Sequence, residues 1–152
     1  MNPLDKLKEL NITLPEAPSP VGAYVAFKKI NNFLYISGQL PINKDGKIIK
    51  GTIGKELTIE DGQKAAKLCA INILAQVNKA LDGNLNKVKN CIKITGFVNS
   101  SNDFKDQPKV INPASEIFAS VFGDSGKHAR AAVSTNALPL GVAVEIDAIF
   151  EI

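Results

Sequence analysis

The stretch from Thr58 to Gly83 constrains this chain most, because it reads as one long helix set between strand patterns. Thr58 and Asp61 stand three apart, the spacing at which a side-chain oxygen caps a free backbone N–H and the acidic partner reaches back. Ala66, Cys69, Ala70, Ile73, Val77, Ala80 and Leu81 then recur at helical spacing, and Gly83 marks the stop. The stripe is narrow and small-sided near its start, which suits a helix lying against a sheet. The flanking sequence supplies the strands. Residues 24–29 and 33–39 are β-rich, and Ile30-Asn31-Asn32 between them signals a hairpin. In the second run Phe33, Tyr35, Ser37 and Gln39 share one face, and Leu34, Ile36 and Leu40 the other. Asp45-Gly46 is a turn, and residues 47–50 suggest a small extra strand.

Residues 88–98 alternate as a further strand with Ile92, Ile94 and Val98 on one face. Asn112-Pro113 has the form of a cap followed by a first-turn proline, opening a second helix that directs Ile117, Phe118, Val121 and Phe122 inward and ends at Gly123. Residues 129–135 and 142–152 are the last strands, joined around Leu138-Pro139-Leu140-Gly141. At the other end, Asn2-Pro3 opens a short helix with Leu4 and Leu7 on one side, and the proline-rich segment that follows must run extended. This order predicts an α+β fold: one mixed β-sheet with both long helices on one face. At 152 residues the chain is expected to form a single domain over residues 1–152, with residues 1–17 as an N-terminal helix and extended arm. Val133, Val144, Ile146, Phe150 and Ile152 place apolar side chains on what reads as a terminal strand pair. A sheet covered on one side would expose such a patch, so an oligomer is expected.

Composition narrows the function classes. The net charge is +3, Lys28-Lys29 is the only adjacent basic pair, and no basic-aromatic motif occurs, which argues against nucleic acid as a partner. No apolar run approaches the roughly 20 residues of a membrane span, and the charged N-terminus lacks a signal-like apolar core; a cytoplasmic protein with no membrane partner is expected. Cys69 and Cys91 have no Cys-x-x-Cys spacing, and His128 is the only histidine, so neither a disulfide nor a metal site is expected. There is no P-loop spacing and no Gly-x-Ser-x-Gly elbow. His128, beside Lys127, reads as a surface-loop residue sooner than as a general base.

The basic residues are informative in kind. The chain holds 17 Lys and one Arg, Arg130. Arg presents a planar fork that matches a carboxylate, whereas Lys presents a point charge. The last strand places Ala143, Glu145, Asp147 and Glu151 on one face, as a solvated edge strand would. If the last two strands form a hairpin, Arg130 falls opposite Glu145 or Asp147. Such a pair is either a cross-strand ion pair or half of a binding site, and spacing alone leaves both open.

Taken together, Tyr35-Ile36-Ser37-Gly38-Gln39-Leu40-Pro41, Ala129-Arg130-Ala131-Ala132-Val133, Leu138-Pro139 and Val144-Glu145-Ile146-Asp147-Ala148-Ile149 resemble the reactive-intermediate deaminase family. That family is also called Rid or YjgF-like, and carries the older label of liver perchloric-acid-soluble-type (L-PSP) endoribonuclease. The resemblance runs from about Pro18 to the C-terminus. It implies a chorismate-mutase-like fold, a homotrimer with ligand clefts between subunits, and cofactor-free hydrolysis of 2-imino acids or their enamines to 2-oxo acids and ammonia. By the same resemblance Arg130 grips the substrate carboxylate and Glu145 positions the attacking water. Tyr24, Ser37 and Gly38 of the Ser-Gly-Gln run, and Asn112 line the cleft, Asn112 on condition that about four extra residues around 106–110 form a loop. Ala131 and Ala23 depart from the family's usual hydroxyl residue and proline, and the N-terminal helix marks a divergent branch.

The residue types suit that chemistry. A protonated imine beside a carboxylate is readily attacked by water, so an enzyme need only hold the carboxylate, place a water and move protons. A charge-assisted fork serves the first task and a carboxylate base the others. Two alternatives stand beside the deaminase: a non-catalytic carboxylate-binding or regulatory trimer, and, less favoured by the charge pattern, an endoribonuclease.

Overall fold

Thr58 caps the long helix as its spacing predicts. The Asp61 N–H donates to Thr58 Oγ1 at 3.2 Å and the Thr58 N–H donates to Asp61 Oδ2 at 2.9 Å. In the computed structural model, which describes residues 2–152, this capping box opens α2 (Ile59–Ala80). The other elements are α1 (Pro3–Glu9), β1 (Phe27–Ile30), β2 (Phe33–Gln39), β3 (Asn90–Asn99), α3 (Gln107–Phe122), β4 (Ala129–Thr135) and β5 (Val144–Glu151). At the start of α1, Asn2 Oδ1 accepts from the Asp5 N–H at 3.0 Å, and Leu7 is buried while Leu4 stays exposed.

The five strands form one sheet in the order β1-β2-β5-β3-β4, with β3 and β4 parallel and the other neighbours antiparallel. α2 and α3 cover one face. The predicted stripe of α2, from Ala66 through Cys69, Ile73 and Val77 to Leu81, is buried against Leu34, Ile36, Ile94, Val98, Ile146 and Phe150. The architecture is therefore the expected α+β sheet with its helices on one side. Gly96 lets α3 settle close, since a Cβ there would stand 2.6 Å from Ile111 Cδ1.

Several local expectations are corrected. The last two strands are not a hairpin: β5 lies third of five, between β2 and β3, and β4 is an edge strand reached by the α3 crossover. Chain that has passed through a helix can return parallel to the strand before it, and β4 does. Consequently Val144, Ile146 and Phe150 face the helices, and the uncovered face carries Phe33, Tyr35 and Val133, each 37–45% exposed. The face bearing Glu145 and Asp147 is central and half-buried, not a solvated edge.

β1 begins at Phe27, so Tyr24 precedes it. The β2–β5 register advances from Ile36↔Ala148 to Gln39↔Ile146, which leaves one extra residue on β2. This bulge turns Gln39 inward, off the face it shares with Ser37 by simple alternation. Residues 47–50 make only isolated bridges, Ile42 with Ile48 and Lys50 with Val142.

α3 starts at Gln107, more than a turn before Asn112-Pro113, so residues 107–110 form helix where a loop was expected. Pro113 lies inside it and has no N–H for the carbonyl of Lys109. Gln63 of α2 makes good the loss, donating Nε2–H to Lys109 O at 3.0 Å. A proline signature that commonly opens a helix is here accommodated within one.

Candidate active site

The β2 bulge builds the first half of the site. It brings Gly38 against Glu145 so closely that a Cβ on residue 38 would collide with the Glu145 carboxylate. The Ser37 Oγ–H donates to Val25 O at 2.6 Å and the Ser37 N–H to Ala26 O at 3.0 Å, drawing the segment that carries Tyr24 across the end of the sheet. Tyr24 Oη accepts from the Val21 N–H at 3.3 Å. Between this segment and the sheet lies a largely apolar cavity of about 250 Å³ whose walls include Tyr24, Gly38, Leu40, Ile42, Leu140 and Glu145. Burial pushes the Glu145 carboxyl above its ordinary value, and the neighbouring Asp147 charge adds to the rise. Asp147 is itself raised by burial, against hydrogen bonding from Thr95 and the charge of Lys93.

Two residues that pattern reading missed hold these walls. Asn72 and Gln76, four apart on the buried face of α2, are nearly inaccessible. Asn72 Nδ2 donates to Leu40 O and Ile42 O, both at 2.9 Å. Gln76 Nε2 donates to Pro18 O at 2.6 Å. Their signal was two amides at i and i+4 within an apolar stripe, since buried amides are seldom left without carbonyl partners.

The second half lies on the helix side of β4. Arg130 is paired in register with Ile94, whose side chain is buried beneath the helices. Its Nη1 donates to Asn112 Oδ1 at 2.9 Å and to Ser115 Oγ at 3.2 Å, both on α3. The helical insertion thus leaves Asn112 beside Arg130. His128 is not a loop residue facing solvent: it is half-buried, with Nε2 2.9 Å from Ser115 Oγ, Nδ1 2.7 Å from Gly126 O, and its ring edge-on to Phe118. Burial lowers its pKa and the Arg130 charge lowers it further, opposed by the hydrogen bond to Gly126.

Within one chain the halves do not meet. Arg130 reaches toward α3, whereas Glu145 alternates with the buried Val144 and Ile146 and faces the open side of the sheet. The cross-strand alternative is thereby corrected: β4 and β5 are separated by β3, and among the described residues every ion pair is an i,i+3 pair that excludes Arg130. Among the described residues no group of His, Cys, Asp or Glu converges as a metal site, and no helix is long and apolar enough to cross a membrane. Both cysteines are free and buried.

A family model described as YjgF/chorismate_mutase-like, with an unproven endoribonuclease activity in the same description, matches residues 5–150. The chain belongs to the YjgF/Rid family. Among YjgF/Rid relatives, Protein TCP17 of Trypanosoma cruzi is 44% identical over 147 residues, covering 96% of this chain and 91% of that protein. The crystal structure of an Agrobacterium tumefaciens protein of unknown function superposes with a TM-score of 0.90 at 49% identity, covering 97% of this chain and 92% of that one. A 2-iminobutanoate/2-iminopropanoate deaminase of Dermatophagoides farinae is 27% identical over 139 residues, covering 91% and 92%.

Proposed function

We propose that the protein hydrolyses 2-imino acids, or their enamine tautomers, to 2-oxo acids and ammonia in a cleft shared between subunits of a homotrimer. The observation that carries this reading is the state of Arg130. The only guanidinium of the chain is fixed by two neutral oxygens, on Asn112 and Ser115, and no carboxylate among the described residues pairs with it. Its Nη1 hydrogens are engaged, which leaves the Nη2–Nε edge to take a carboxylate through two parallel hydrogen bonds. The similarity to a 2-iminobutanoate/2-iminopropanoate deaminase supports the choice of substrate. The uncovered sheet face supports assembly, because Phe33, Tyr35 and Val133 lack cover in one chain. In the trimer, Arg130 of one protomer faces the Glu145 side of its neighbour.

The reaction needs little beyond these groups. The fork holds the substrate carboxylate, and the adjacent carbon, as a protonated imine, accepts water. Glu145, whose raised pKa makes it a stronger base, takes a proton from that water as the C–O bond forms. The proton passes to nitrogen; as the C–N bond breaks, Glu145 takes the remaining hydroxyl proton so that the C=O bond forms, and hands it to the departing ammonia, giving the 2-oxo acid and ammonium. Tyr24, Ser37 and Gly38 shape the wall that receives the substrate side chain.

Generating 2-iminobutanoate in place with an amino-acid oxidase and following its loss tests the reading. Faster loss with the protein supports it. Binding of 2-oxobutanoate without acceleration favours a non-catalytic carboxylate-binding trimer instead.

A further inference from the structure

We propose that Ser115 and His128 are positioning residues that lock the guanidinium of Arg130 through a directed chain of hydrogen bonds, so that its free edge is presented to a carboxylate in one orientation. The substrate role rests on the proposed function; the chain of hydrogen bonds does not.

The direction of the chain follows from what each atom can do. Gly126 O is a carbonyl and only accepts, so the 2.7 Å contact requires the hydrogen on His128 Nδ1. In the neutral ring Nε2 then carries a lone pair, and Ser115 Oγ, 2.9 Å away, must donate to it. With its hydrogen committed, Ser115 Oγ turns its lone pairs to Arg130 Nη1 at 3.2 Å. The second Nη1 hydrogen goes to Asn112 Oδ1 at 2.9 Å. The two Arg130 Nη1 hydrogens, the Ser115 Oγ hydrogen and the His128 Nδ1 hydrogen thus each have one acceptor, and the Ser115 hydroxyl is not free to rotate. The ring is fixed from its other side by Phe118, edge-on with centroids 5.8 Å apart. Asn112 and Ser115 are three apart on α3, and Arg130 lies in β4 two residues after His128, which immediately precedes the strand, so the arrangement needs only the packing of one helix on one strand and its entry.

The lone His and lone Arg make the test direct, because each gives an unambiguous nitrogen signal in the intact protein. A long-range proton–nitrogen spectrum should show His128 as the Nδ1–H tautomer; the Nε2–H tautomer would overturn the proposal without any ligand present. The Arg130 Nη1 hydrogens should be resolved in the wild type and averaged by rotation in Ser115→Ala and His128→Phe, the latter keeping a ring against Phe118 but no acceptor. His128→Gln, which restores an acceptor near Nε2, should recover the resolved signals; failure to separate Phe from Gln would also overturn it. In calorimetric titration with 2-oxobutanoate, Ser115→Ala should raise Kd about tenfold, as loss of a hydrogen bond to a charged group implies. In turnover its effect should fall on KM more than on kcat. An unchanged Kd in Ser115→Ala refutes the positioning role. Absence of both binding and imine turnover in the wild type refutes the function proposed above, while the spectra still decide the hydrogen-bond chain.

Discussion

Replacing Arg130 by lysine separates fork geometry from charge. Arg130 spends both Nη1 hydrogens on Asn112 and Ser115 and keeps three N–H groups for a ligand. A lysine ammonium has three donors on a single nitrogen. If it satisfies Asn112 and Ser115, one donor remains, and the carboxylate is held by one contact in place of two. A hydrogen bond to a charged group contributes about 1.5–3 kcal/mol, so kcat/KM should fall roughly ten- to a hundredfold. The assay is oxidase-generated 2-iminobutanoate with purified Arg130→Lys, alongside light scattering to establish that assembly matches the wild type. The charge is retained and no ion pair is broken, because Arg130 has none among the described residues. Near-wild-type turnover in a correctly assembled Arg130→Lys protein would refute the carboxylate grip.

Three further substitutions probe the walls around Glu145. Glu145→Gln keeps the shape but cannot take a proton, and kcat should fall about 10²–10⁴-fold in the imine assay. Because burial raises the Glu145 pKa in the folded state, its ionised form weakens folding above that raised value, and the penalty fades as pH falls toward the ordinary 4.5; Glu145→Gln should therefore melt higher than wild type at neutral pH, with the gap closing on acidification in a series of melting curves. Gly38→Ala should fold, since the colliding group is a movable side chain, but should displace the Glu145 carboxylate and reduce turnover at least tenfold by the same proton-transfer argument. Gln76→Leu strands the Pro18 carbonyl, at a cost of about 1–3 kcal/mol in urea unfolding, and should hasten proteolysis within residues 18–26.

The local elements were legible in the sequence because their signals are local. The capping box at Thr58, the stripe through Ile73 and Val77, and the strand alternation at Leu34 and Ile36 each need only a few neighbouring residues. What failed was non-local. Nothing in residues 129–152 says that β5 inserts between β2 and β3 while β4 goes to the edge, and the assumption that neighbouring strands pair put Arg130 on the same face as Glu145. Pro113 misled for a related reason: its acceptor is completed by Gln63, 46 positions away in sequence from Lys109. His128 was read from its neighbour Lys127, whereas its partners Ser115 and Phe118 come from a helix that packs against it only in the fold. The Ser-Gly-Gln run was visible as a motif; that its glycine exists to seat a carboxylate from β5 became visible only with the bulge.

A cleft divided between chains takes Arg130 from one protomer and Glu145 from its neighbour. Subunit mixing tests it most directly. Arg130→Ala and Glu145→Gln proteins, each inactive alone, are unfolded together in equal amounts, refolded, and assayed for 2-iminobutanoate hydrolysis. In a cyclic trimer with random assortment, about a quarter of the clefts receive an intact arginine from one side and an intact glutamate from the other. About a quarter of wild-type activity should therefore return. Mixed trimers as inactive as their parents would contradict the divided cleft, because a cleft built within one chain would always carry one of the two lesions.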